Sequence, residues 1–141
     1  LYRYQPKQGQ KPTPSMTAEA LLCRVYLGWT RDDPRLRKGM NWLREKHPPQ
    51  ETSDSLYYWY YGTQLFHHLG GEAWDQWNTE MRDLLVNIQE KRGTQAGSWS
   101  PDKFKYGRQG GRIYTTALAV CILEVYYRHL PLFKQLDIDG S

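Results

Sequence analysis

The stretch Met16-Thr17-Ala18-Glu19-Ala20-Leu21-Leu22-Cys23-Arg24-Val25-Tyr26-Leu27-Gly28 constrains this chain more than any other, because the chain writes it three times. Displaced by 98 positions, Thr17 meets Thr115, Leu22 meets Val120, Cys23 meets Cys121 and Val25 meets Leu123. Displaced by 40, Met16 meets Leu56, Val25 meets Leu65 and Tyr26 meets Phe66. Recurrence at about 40 residues marks stacked supersecondary units, each too small to bury its own apolar face. Within the first copy Ala18, Leu21, Leu22 and Val25 recur at three- and four-residue steps, which sets them on one helical face.

The copies alternate with second helices. Ser15 reads as the N-cap of the first helix, which runs to about Leu27 and stops at Gly28. Asp33 followed by Pro34 is a cap with proline at the first helical position, and it opens a helix over Pro34 to Lys46. Pro48-Pro49 ends it. Ser53 or Asp54 caps a third helix, Ser55 to Leu69, whose run Tyr57-Tyr58-Trp59-Tyr60-Tyr61 has strand propensity in isolation. The repeat register makes it helical. In a fourth helix, Glu72 to Lys91, Trp74, Trp77, Met81, Leu84, Leu85 and Ile88 give the plainest amphipathic pattern of the chain. Gly93 to Gly111 is a long connection, and a fifth helix covers Ile113 to His129. Connections that long are often functional or packed on themselves. The expectation is one all-α domain over residues 1–141: an extended entry over 1–14, α/α-hairpin repeats over 15–130 (about two and a half hairpins), and a tail over 131–141.

Composition removes several function classes. Nineteen Lys and Arg stand against 15 Asp and Glu, a formal excess of +4. These bases are scattered among acids, as in Arg31-Asp32-Asp33-Pro34-Arg35, rather than gathered in a stripe, so nucleic-acid binding is not expected. No apolar run reaches the roughly 20 residues that cross a bilayer, so no membrane span is expected. No signal peptide is legible, and the compartment stays open. Cys23 and Cys121 lie in apolar helical runs and read as buried free thiols; a disulfide between them is the alternative that three-dimensional geometry decides.

With the repeats laid out, the chain resembles the α/α-toroid superfamily of squalene and terpene cyclases, protein prenyltransferase β-subunits and complement-type thioester domains. The resemblance rests on Met16-Thr17-Ala18 and its echo Tyr114-Thr115-Thr116-Ala117, on Lys38-Gly39-Met40-Asn41-Trp42-Leu43, and on Gln89 followed by Gly97-Ser98-Trp99. The last is a stretched form of a Gln-x-x-x-Gly-x-Trp repeat ending. It implies an arc of a toroid, with helices one, three and five on the inner wall and two and four outside. The catalytic sets of those enzymes are not matched. Asp32-Asp33 and Asp137-Ile138-Asp139 are not an Asp-x-Asp-Asp acid, and Asp33 is explained as a helix cap. Tyr114 and Thr115 stand where a prenyltransferase would place a zinc-binding His, and neither Cys opens a thioester motif. No catalytic residue, metal or cofactor is therefore assigned. Gly107-Arg108-Gln109-Gly110-Gly111 suggests an anion site, but a flexible turn before the helix is the preferred reading.

Five consecutive aromatics point all round a helix. By register Tyr58, Tyr61 and Leu65 belong in the interhelix core, and Tyr57, Tyr60 and Gln64 lean toward the concave side with His67 and Thr115. Two readings stand for these five. They line a groove for an apolar, carbohydrate or peptide ligand, or they pack against a neighbouring hairpin. The expected function is a binding or scaffold module, with a piece of a cyclase- or prenyltransferase-type enzyme as the alternative. Its expected partners are other repeats of a larger parent, or further copies of itself.

Overall fold

The computed structural model describes residues 1–3, 11–50 and 55–129. Among them the chain is all-α: α1 Pro14–Tyr26, α2 Pro34–Lys46, α3 Leu56–Leu69, α4 Gly71–Ile88, α5 Gly107–Leu123 and the short α6 Val125–Arg128, with no strand. Two 3₁₀ turns, Gly93–Gln95 and Pro101–Lys103, lie between α4 and α5. Pro6, Gly9, Ser53, Asp54 and the Asp137-Ile138-Asp139 run lie outside the described residues.

Local chemistry accounts for the boundaries. α1 begins one residue before the expected cap. Pro14 occupies its first turn, and Thr13, extended, accepts from the Met16 amide at 3.3 Å. Proline suits that position because its missing N–H would have had no helical acceptor. At α2 the Asp33 carboxylate accepts from the Arg35 amide at 2.8 Å, as the Asp-Pro pair predicts. Ser55 caps α3 by accepting from the Tyr57 amide. Gly70 (φ 64°) and Gly71 (φ 68°) then turn the chain directly into α4, a left-handed step that favours glycine. α5 starts at Gly107 and is broken at Gly111 (φ 73°, ψ −177°), so its regular part begins where the sequence places the fifth helix.

α3 sits at the centre. It packs between α1 and α5 and also meets α4 and α6, while α2 lies on α1. The three repeated helices run in the same direction. Near their C-terminal ends, Tyr26 meets His68 through a 3.0 Å hydrogen bond, and the His68 and His129 rings lie 5.8 Å apart. Near their N-terminal ends, Met16, Tyr57 and Tyr114 border one groove.

The second helices cover the repeated ones through side chains fitted into small residues. Leu21 of α1 packs on Gly39 of α2, where an added Cβ would lie 2.5 Å from a Leu21 methyl. Trp77 of α4 stacks on Phe66 at 4.5 Å, donates its indole N–H to Thr63 at 3.0 Å, and lies against Gly62. Tyr58 and Leu65 are buried as the register predicts. Tyr61 is only half-buried, because its face turns toward Tyr57 and Tyr60 rather than an outer helix.

The long connection is packed on the helices. Trp99 is buried and donates its indole N–H to the Leu85 carbonyl at 2.8 Å. Phe104 meets Trp59 edge-on at 5.7 Å. Gln89 donates to the Gly97 carbonyl at 3.0 Å, which joins the two halves of the stretched repeat ending. Both cysteines are free, but Cys23 is exposed and Cys121 half-buried, which corrects the expectation of buried thiols. Cys23 follows Leu22 by one helical step of about 100°, enough to carry it off the buried stripe of α1.

Candidate functional site

The aligned starts of α1, α3 and α5 leave a groove of about 760 Å³ between them. α1 contributes Met16 and Glu19 from its first two turns, α3 contributes Tyr57 and Tyr58, the residue before α5 is Tyr106, and α5 itself contributes Tyr114. Lys105 stands at the edge with its ammonium 5.2 Å from the Tyr106 ring centroid. Tyr106 holds a left-handed backbone (φ 64°), which costs about 1 kcal/mol or more for a residue with a Cβ. That conformation ends the turn after Phe104 and turns the chain into α5.

The phenols form a connected set. The Tyr57 and Tyr61 rings meet edge-on at 4.7 Å, and Tyr60 meets Tyr61 at 5.2 Å. A hydrogen bond with Tyr57 raises the Tyr61 pKa above its ordinary value, and burial and the Glu19 charge push the same way. Burial, then the neighbouring Tyr57, raises Tyr114. These hydroxyls stay neutral donors and acceptors well past neutrality. Glu19 is half-buried and has no ion-pair partner among the described residues. The groove thus offers ring faces, one carboxylate, one ammonium and neutral hydroxyls. That equipment recognises a ligand by stacking and hydrogen bonding.

Of the five residues expected to bind a ligand, Tyr57 lines this groove. Tyr60 is half-buried beside Tyr61. Gln64 is buried and donates to the Tyr60 carbonyl at 3.3 Å. His67 is buried in the last turn of α3, away from the groove at the helix start, 4.9 Å from the Trp74 ring and 5.9 Å from Tyr126. Thr115 is fully buried, and its hydroxyl donates to the Trp99 carbonyl. Glu19, Lys105, Tyr106 and Tyr114 are groove residues that sequence reasoning missed. A signal for Tyr114 was present, since it heads the third copy exactly as Met16 and Leu56 head the others.

Among the described residues no group of three or more His, Cys, Asp or Glu side chains is placed to hold a metal ion. No described helix is long and apolar enough to cross a membrane. No protein-family model matches the chain, no curated protein matches it, and no solved structure matches it.

Proposed function

We propose that this chain is a non-catalytic helical-repeat module, an arc of the α/α-toroid type, that binds an elongated ligand in the groove at the starts of α1, α3 and α5. The observation that carries the reading is that Tyr57, Tyr106 and Tyr114 line one groove with Glu19, which has no ion-pair partner among the described residues. The parallel run of three repeated helices, with α2 and α4 laid on the first two, supports the toroid comparison. Among apolar, carbohydrate and peptide ligands, an oligosaccharide suits the groove best. Its C–H faces stack on tyrosine rings, while its hydroxyls reach Glu19, Lys105 and the phenols.

The alternative is a piece of a cyclase- or prenyltransferase-type enzyme whose catalytic groups lie outside these residues. The joining of Gln89 to the Gly97-Ser98-Trp99 segment favours it, because that segment resembles, in stretched form, the ending of the cyclase-type repeat. Titration by two-dimensional NMR separates the readings. Cello- and malto-oligosaccharides should shift Tyr57 and Tyr114 resonances saturably, and Tyr57→Ala should abolish the effect. A response to an isoprenoid alcohol alone would favour the enzyme reading. No response at these tyrosines to sugar, isoprenoid or peptide would overturn the groove as a binding site.

A further inference from the structure

Glu19 stands half-buried in the wall of the groove, and among the described residues its carboxylate has neither a hydrogen-bond donor nor an ion-pair partner. The donors nearest to hand are turned elsewhere. Tyr57 and Tyr61 hydrogen-bond to one another, although Tyr61 feels the Glu19 charge. The Lys105 ammonium borders the same groove but rests over the Tyr106 ring at 5.2 Å and makes no ion pair with Glu19.

A carboxylate partly withdrawn from water without a donor is a cost that a ligand can remove. A cation removes it more fully than a hydroxyl, because charge-assisted hydrogen bonds are about twice as strong as neutral ones. The tyrosine rings act in the same sense, since their faces attract positive charge, as Lys105 over Tyr106 already shows. Attraction at a distance does not supply the preference. The chain carries a formal charge of +4, so a cationic ligand is repelled by the molecule as a whole and must be selected by the site.

We propose that the ligand of this groove is an amino sugar, an oligosaccharide of hexosamine units with free amines, one of which pairs as ammonium with Glu19. The inference rests on the groove reading and narrows it. A hexosamine ring joins a C–H face that stacks on tyrosine to an ammonium fixed at its edge, and its hydroxyls suit Lys105 and the neutral phenols of Tyr106 and Tyr114. A lysine side chain brings the charge but no hydroxyls for those groups.

Three tetramers of the same β-1,4 linkage make the test: glucosamine, N-acetylglucosamine and glucose. Each is titrated into the intact chain at pH 6 and followed at the Tyr57 and Tyr114 resonances. The glucosamine tetramer should bind about tenfold or more tighter than the other two. Glu19→Gln, which keeps the shape and an acceptor but removes the charge, should erase that preference. Lys105→Gln, which removes the like charge at the groove edge, should instead tighten the glucosamine tetramer. Amide resonances unchanged away from the groove show that each variant folds. Equal affinity for the three tetramers, or a preference that survives Glu19→Gln, overturns the proposal and leaves the groove reading standing. A tetralysine peptide bound as tightly, with the same sensitivity to Glu19→Gln, also overturns it and assigns the site to cations in general. Silence of all three sugars at both tyrosines overturns the oligosaccharide reading together with the proposal.

Discussion

The Thr115 hydroxyl donates to the Trp99 carbonyl at 2.7 Å, and Trp99 in return donates its amide to Thr116 at 3.3 Å. The long connection is thereby tied to the helix that follows it. The same device serves the first copy, where Thr17 accepts from the Tyr2 amide at 3.1 Å. The repeated threonines are therefore clasps for incoming chain.

Thr115→Val should lower unfolding free energy by about 1–3 kcal/mol, since it keeps the shape and strands a buried carbonyl. Thr115→Ser keeps the hydrogen bond and loses only a methyl, so it should cost about 1 kcal/mol. Urea denaturation of both variants checks this. A serine variant less stable than the valine variant would refute the clasp.

Gly39 and Gly62 should respond differently to alanine. At Gly62 the new Cβ would lie 2.8 Å from a Trp77 ring carbon, and that ring is fixed by Phe66 and Thr63. Overpacking of about 1–3 kcal/mol should outweigh the gain of about 1 kcal/mol in helix propensity. At Gly39 the obstacle is the free end of Leu21, which can rotate away. Thermal melts should therefore show Gly62→Ala clearly less stable than Gly39→Ala, although the approach at Gly39 is the shorter. Equal melting temperatures would contradict the rigid seat assigned to Trp77.

Asp33 links α2 to acid stability. A hydrogen bond from the Arg35 side chain, together with the capping amides and the Arg35 charge, outweighs desolvation and lowers its pKa to about 2. A carboxyl lowered on folding stabilises above its unfolded pKa of about 4, and that contribution is lost as pH falls through about 2. Asp33→Ala should melt below wild type at pH 6, and the gap should close as pH falls from 4 toward 2. A gap independent of pH would mean that the cap acts through shape alone.

Helix identity was legible in the sequence because each helix carries its own punctuation. α2 matches from Pro34 to Lys46, since Asp33-Pro34 opens it and Pro48-Pro49 follows. The aromatic run of α3 is helical, because the repeat register outweighs strand propensity. At the first helix the cap is Thr13 rather than the expected Ser15, because Pro14 takes the first helical position. The groove was only partly legible. Tyr57 sits within the repeat, but Lys105 and Tyr106 reach the site through the turn before α5, outside the repeated stretch. The exposure of Cys23 escaped because a residue one step off an apolar stripe reads like its neighbours until the covering helices are placed.

Position α3 at the hub, touching α1, α4, α5 and α6, and the domain has no half that keeps its core when that helix melts. α1 with α2 would be left with an open flank on one side, and α5 would lose the wall behind Thr115, Ala119 and Ile122. Unfolding should accordingly start at the periphery and finish as one event, with the tyrosine- and tryptophan-rich middle helix as the last piece to let go.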